Sequence, residues 1–235
     1  MSDSPIAAMF DRISPKYDRL NHLLSLNIDK VWRWKTAKAV AKCRPQTILD
    51  LATGTGDLAL VLARHNPQAH IVGMDISQKM LDIGKAKIAK HCLESQVELR
   101  YGNAAALPFE DNSFDAVTVA FGVRNFEDLD KGLSEIHRVL KPGGRAYVLE
   151  FSMPERFPVK QLYHFYFKRF LPLIGGLVSK DPDAYAYLPT SVEHFPKPEA
   201  FLELLSQHGL SNDLTKQYSF GIATLFQNAK NTTRF

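Results

Sequence analysis

Residues 48–57 read "ILDLATGTGD": a short apolar run ends in a carboxylate, turns through glycines and opens onto a helix-like pattern. Gly54-Thr55-Gly56-Asp57-Leu58-Ala59 has the G-x-G-x-x-G/A spacing of nucleotide-binding folds, where glycines let a ligand approach the backbone closely. Asp75 follows nineteen residues after Gly56, at the end of the next apolar run, where an acid can bond ribose hydroxyls. The spacing admits a nicotinamide dinucleotide or S-adenosylmethionine, since both carry an adenosine ribose. It does not fit a P-loop, because no Gly-Lys-Ser/Thr follows the glycines to grip a phosphate.

Charge separates the two survivors. A dinucleotide sets its anionic pyrophosphate at the helix N-terminus, where exposed N–H groups and the helix dipole favour negative charge. Here Asp50 precedes the turn and Asp57 follows it, and both would repel a pyrophosphate. S-adenosylmethionine carries a cationic sulfonium and an ammonium group instead, and carboxylates attract these. The plainer alternative is that Asp57 caps the next helix and Asp50 makes a buried local hydrogen bond. The balance favours S-adenosylmethionine, with S-adenosylhomocysteine as product. Thr53, Gly54, Thr55 and Gly56 then shape the pocket, and Asp75 holds the ribose. Ile76 packs on the adenine, and Asn103 and Ala104, just past the third strand, read its edge.

Outward from the turn, strand-like and helix-like segments alternate. The runs 47–51, 70–75, 97–101, 114–121 and 145–152 are rich in β-branched or aromatic residues, and helix-length segments 57–65, 77–91 and 128–140 lie between them. This alternation predicts an α/β fold, a doubly wound, mostly parallel sheet covered on both faces. Residues 214–230 read as two strands turning at Gly221, an antiparallel finish. Lys141-Pro142-Gly143-Gly144 reads as a tight turn ending a helix. A single domain over 1–235 is expected. It divides into an N-terminal helical lid (1–44), a cofactor-binding core (45–152), an aromatic cap insertion (153–198) and a C-terminal helix with antiparallel strands (199–235).

Composition bounds the function. Hydrophobic residues make up 45% and charged residues 23%, which supports a packed core rather than disorder. The net charge of +4 lacks the basic blocks of a nucleic-acid tail, so no nucleic-acid partner is expected. Cys43 and Cys92 stand far apart, outside any zinc-like spacing, and suit a reducing cytoplasm. The N-terminus lacks the apolar core of a secretory signal, and no run of eighteen apolar residues would span a membrane.

Four stretches narrow the acceptor: "YDRLNHLLSLNIDKVW" (17–32), "FGVRN" (121–125), "RVLKPGGRAYVLEFS" (138–152) and "DPDAYAYLPTSVEHFP" (181–196). The block around the glycine turn resembles the class I methyltransferases. With these stretches the chain closely resembles, from about Phe10 to Phe226, the quinone C-methyltransferases of menaquinone and ubiquinone biosynthesis. The resemblance implies a seven-stranded, Rossmann-like sheet and methylation of a polyprenylated quinol, with demethylmenaquinol favoured over a methoxybenzoquinol. It maps cofactor contacts onto Thr55, Asp75, Asn103 and Ala104. Tyr17, Asp18, Asn21, Ser25 and Trp32 match the family pattern. Leu20 stands where it has methionine, Asp29 where it has histidine, Ala120 where it has a serine, and Ala146 where a larger apolar residue is usual.

Methylation of a ring carbon needs an electron-rich carbon, which a quinol supplies as its hydroxyl loses a proton. The protein must position the ring, stabilise the phenolate and give the proton a route. The scheme requires no metal. Arg124 and Asn125, beyond the fourth strand, are the candidates on the acceptor side; the competing reading is an ion pair of Arg124 with an acid such as Asp128. Tyr17 and Asp18 belong to a segment expected to fold over the cofactor. His164 lies in an aromatic stretch (163–178) whose helical spacing fits core packing or a wall for a prenyl tail, and it is left outside the site. A bilayer-borne substrate implies transient, peripheral contact with a membrane surface. The edge strand and the aromatic cap are compatible with a homodimer.

Overall fold

The computed structural model describes residues 4–166 and 182–231. Helix α1 spans Pro5–Leu24, α2 Ile28–Ala41, β1 Thr47–Leu51, α3 Asp57–His65, β2 His70–Asp75, α4 Gln78–Lys90, β3 Val97–Tyr101 and β4 Phe114–Ala120. After a 3-10 turn at Val123–Asn125 come α5 Leu129–Val139, β5 Leu140–Phe151, α6 Val159–Phe165, α7 Pro182–His194, α8 Pro198–Gln207, β6 Leu210–Tyr218 and β7 Ala223–Lys230. Seven strands form one sheet in the order β3-β2-β1-β4-β5-β7-β6. The first five are parallel, and β7 pairs antiparallel with both β5 and β6. The doubly wound architecture expected from the alternation is the one observed.

The strands are apolar on both sides because both faces are covered. Ile48, Ile71, Ala116 and Tyr147 point to one face, where they pack with Trp32, Leu58, Leu62 and Leu81 from α2, α3 and α4. Their neighbours Leu49, Val72, Val117 and Val148 point to the other, against Leu133 and Ile136 of α5 and Phe201 of α8. Residues 141–144 do more than end a helix. Strand β5 already pairs at Leu140 with Phe114, and the register then jumps to Arg145 opposite Ala116, so the Pro-Gly-Gly segment forms a bulge within the strand.

Helix α1 carries Pro15 in its interior, which removes the N–H that would bond Asp11 O. Ser14 Oγ donates to that same carbonyl at 3.1 Å, so the carbonyl keeps a partner. The Asp11 side chain in turn accepts from Ser77 Oγ and Lys79 N at the start of α4. This lays α1 across the carboxyl ends of β1 and β2, where ligands of open α/β sheets bind. Most of the aromatic stretch at 163–178 lies outside the described residues, as does the His164 side chain.

Candidate active site

The glycine turn is built from left-handed backbone. Ala52, Gly54 and Gly56 have φ of 50°, 55° and 77°, and Gly56 caps α3. A Cβ at Gly54 would meet no atom within 4 Å, so this edge of the turn is open for a ligand to lie against. A pocket of about 70 Å³ adjoins it, walled by Gly54, Asp75, Ile76, Met80, Asn103 and Ala104 and roofed by Ile6, Phe10 and Tyr17 of α1. One Asp75 oxygen accepts the Gly54 N–H and the other the Ser77 N–H, both at 2.8 Å. Burial pushes its pKa up to about 6, against those hydrogen bonds. Asn103 accepts from Ala105 N and donates to Glu127.

A second cavity, about 330 Å³ and mostly apolar, opens on the other side of Tyr17 and Phe121. Phe10, Tyr17 and Phe121 border both spaces. Phe121, with φ 60° at the end of β4, stacks on Phe151 at 4.4 Å between ring centroids. Arg33 lies over the Phe121 ring and Arg124 over the Phe151 ring. Leu26, Ile28 and Leu162 line this cavity and are nevertheless exposed, so they mark its mouth.

The predicted residues divide. Gly54, Asp75, Ile76, Asn103 and Ala104 converge on the small pocket with Asn125, and Arg124 lines the large cavity. Sequence reasoning had placed Arg124 and Asn125 together on the acceptor side. Asn125 lines the small pocket, and its Oδ1 accepts from Tyr187, which lines the large cavity, so it stands between the two spaces. Arg124 is ion-paired with the buried Glu150 at 2.6 Å, not with Asp128, which caps α5 and pairs with Lys131.

Five expected cofactor contacts do not line the pocket: Gly56, which caps α3, and four whose side chains are engaged elsewhere. Asp50 is buried and accepts hydroxyls from Thr53 and Thr118, both at 2.6 Å, and burial raises its pKa to about 6. This engages Thr53 as well. Thr55 Oγ1 donates to Asp18 at 2.5 Å, and Lys87 Nζ reaches Thr55, Asp57 and Asp18. Asp57 also faces His22 Nε2 at 3.3 Å. Although burial opposes it, the His22 hydrogen bond, Arg33 and Lys87 hold the Asp57 carboxyl well below its usual range. Asp57 is paired with Lys87 and His22, Asp50 is hydrogen-bonded to two hydroxyls, and neither lines the pocket, so their placement does not support the charge argument built on them.

The chain matches the ubiE/COQ5 methyltransferase family over residues 1–230. It belongs to that family. The demethylmenaquinone methyltransferase of Bacteroides fragilis is 45% identical over 225 residues, covering 96% of this chain and 92% of its own. The ubiquinone/menaquinone biosynthesis C-methyltransferase UbiE of Geobacter sulfurreducens is 45% identical over 226 residues, covering 96% and 88%. Among solved structures, a SAM-dependent methyltransferase of Thermotoga maritima superposes with TM-score 0.64 at 18% identity, over 96% of this chain and 100% of that one. The [4+2]-cyclase SpnF superposes with TM-score 0.61 at 20% identity, over 80% and 75%. These structures show the fold alone. Fold and family together support S-adenosylmethionine as the methyl donor of this methyltransferase.

Sequence reasoning missed Glu150, His22, Arg33 and the Phe121–Phe151 stack, and noted Asp29 only as a departure from the family pattern. For Glu150 a signal was present: an acid inside the apolar run "AYVLEF" must find a cation or hydrogen bonds when buried.

Proposed function

We propose that this methyltransferase transfers a methyl group from S-adenosylmethionine to a ring carbon of a polyprenylated quinol, demethylmenaquinol, yielding menaquinol and S-adenosylhomocysteine. The observation that carries this reading is the pair of adjoining spaces, polar and apolar, with Tyr17 and Phe121 at their junction. The names of the relatives at 45% identity support the choice of acceptor.

The small pocket fits the donor chemically. Asp75 and the open edge at Gly54 suit a ribose, and Met80, Ile76 and Ala104 offer an apolar slot for adenine. The bound donor supplies an electrophilic methyl group. Everything else falls to the chain. The apolar cavity takes the ring and the start of its prenyl tail, and excludes water. The Phe121–Phe151 stack bounds the ring, and the Arg124 guanidinium beside it stabilises the phenolate as it forms. Tyr17 and Asp18 act from α1, which closes both spaces.

Among the described residues no helix is long and apolar enough to cross a membrane. The exposed apolar mouth at Leu26, Ile28 and Leu162 supports peripheral contact with a membrane surface, from which the tail would be drawn.

The test is methyl transfer from labelled S-adenosylmethionine to short-chain demethylmenaquinol and to the matching methoxybenzoquinol, each with and without reductant. The reading expects transfer to the reduced naphthoquinol with the higher kcat/KM. Transfer to neither quinol, or transfer independent of reductant, overturns it.

A further inference from the structure

Building on the acceptor reading above, the reaction must discard one proton, and the cavity walls differ sharply in what they offer to receive it. Arg33 and Arg124 carry guanidinium groups, which donate hydrogen bonds and offer no acceptor. Burial raises the pKa of Tyr17, Tyr163 and Tyr187, so none is a ready base near neutral pH. Among the described residues that line the cavity, Asp29 is the one carboxylate; although burial opposes it, Arg33, Ser25 and His22 hold it below the usual carboxylate range, so it carries a proton only in transit.

Asp29 does not stand alone. Its Oδ1 accepts the Ser25 hydroxyl at 2.5 Å, and Ser25 also lines the cavity. Its Oδ2 faces His22 Nδ1 at 2.8 Å and the Arg33 guanidinium. The opposite ring nitrogen of His22 lies 3.3 Å from Asp57 Oδ2. The His22 side chain is about one-fifth exposed, while Asp29 is buried. A continuous chain of hydrogen-bonding groups therefore runs from the cavity, through the α1–α2 corner, to the surface beside α3.

We propose that Ser25, Asp29 and His22 form the route by which the acceptor's proton leaves, with Asp29 as its first ionisable stop. As the ring carbon bonds to the methyl group and the sulfur–methyl bond breaks, the quinol O–H bond breaks and its proton passes through the Ser25 hydroxyl to Asp29. The electron pair of the O–H bond moves into the ring as a carbonyl forms, and the sulfonium becomes a neutral thioether. The ring hydrogen on the methylated carbon then moves as a proton to the carbonyl oxygen, its C–H bonding pair restoring the aromatic quinol. One proton remains on Asp29. It passes to Nδ1 of neutral, Nε2-protonated His22, which then releases its Nε2 proton beside Asp57 to solvent.

The charged groups around this route are Asp29 and Arg33 on α2, Asp57 on α3, Lys87 on α4 and bonded to Asp57, and Asp18 on α1. Across the cavity stand Tyr17 and Arg124. Asp29 itself is the point where histidine stands in the family pattern, and here the histidine sits opposite it at position 22. Exchanging the two residues should preserve the pair.

The experiment uses the full-length protein with short-chain demethylmenaquinol. Wild-type transfer is measured first, so that its absence counts against the acceptor reading and not against the route. In Asp29→Asn, kcat is expected to fall by about 10²–10⁴-fold, with KM and S-adenosylmethionine affinity within about threefold of wild type. The exchange variant His22→Asp/Asp29→His is expected to recover at least about tenfold of that loss. The titration of His22, followed by ring ¹⁵N NMR, should coincide with the pH midpoint of kcat in wild type and shift downward with it in Asp29→Asn. A merely structural role predicts no such joint shift. Asp29→Asn turnover within about threefold of wild type, or a kcat profile that does not follow the His22 titration, overturns the route.

Discussion

Arg124 Nη1 lies 2.6 Å from Glu150 Oε1, inside the protein, and the same residue lines the large apolar cavity. The Glu150 side chain is fully buried and also accepts the Phe151 N–H at 2.8 Å. Arg124 thus belongs both to a buried ion pair and to the cavity wall. Removing the arginine leaves a buried carboxylate without its cation, a loss of about 3–5 kcal/mol in comparable pairs. Arg124→Ala should therefore lower stability strongly as well as turnover. The double variant Arg124→Met/Glu150→Gln removes the stranded charge yet keeps an acceptor for Phe151 N. It should regain most of the stability in chemical denaturation and remain catalytically impaired. Recovery of both together would reduce Arg124 to a structural residue.

Asp75 lends itself to a binding measurement. Its carboxylate holds the glycine turn and faces the small pocket, and burial raises its pKa to about 6. The ionised form is the better acceptor for ribose hydroxyls and the better neighbour for a cation. Affinity for S-adenosylmethionine, measured by calorimetry, should be flat above about pH 7 and weaken by up to about tenfold per unit below pH 6. Asp75→Asn should bind weakly with that pH dependence gone. The ligand-free protein should respond with the opposite sign. A raised carboxyl pKa contributes stability that is present below the unfolded value and lost as pH rises through about 6.

Local patterns carried the fold. Apolar runs ending at Leu51 and Asp75, with glycines or helix periodicity after them, are set by neighbours in the chain, and the strands 47–51, 70–75 and 97–101 lie where those patterns put them. The small pocket was legible for the same reason, since Gly54, Asp75, Ile76, Asn103 and Ala104 sit at strand ends. The turn acids were not. Asp57 finds Lys87 thirty residues later and His22 thirty-five earlier, and Asp50 finds Thr118 across the sheet. The first two depend on how helices stack and the third on the register of β1 against β4, which no short window records. The acceptor cavity failed to show for a similar reason, its walls coming from α1, α2, β5, α6 and α7.

His22 predicts a pH effect on stability. The Asp57 hydrogen bond and the Asp29 charge hold its pKa above the usual value, although burial opposes them. A histidine raised in the folded state contributes stability that is complete below its unfolded value of about 6.5 and is lost as pH rises through the folded one. His22→Gln should therefore be destabilised most relative to wild type near pH 6, and the gap should narrow by pH 9. Urea midpoints across this range check it. A gap that widens with pH would contradict the assigned pairing.

The roof of the small pocket makes the last prediction. At about 70 Å³ the space under Ile6, Phe10 and Tyr17 is far below the roughly 300 Å³ at which ligand pockets begin, so we expect α1 to withdraw when a nucleoside enters. What holds α1 down is partly visible. Asp18 is tied to Thr55 and Lys87, and Asp11 to the first turn of α4. The Asp18–Lys87 pair is about one-quarter exposed, and such pairs contribute at most about 1 kcal/mol, a factor of about five in a rate. Asp18→Ala should then raise the S-adenosylmethionine dissociation rate by up to about fivefold in stopped-flow measurements, and Asp11→Ala/Asp18→Ala by more. The association rate should rise with it, because both steps pass through the withdrawn position of α1. Unchanged rates in both variants would mean that something other than these latches controls entry.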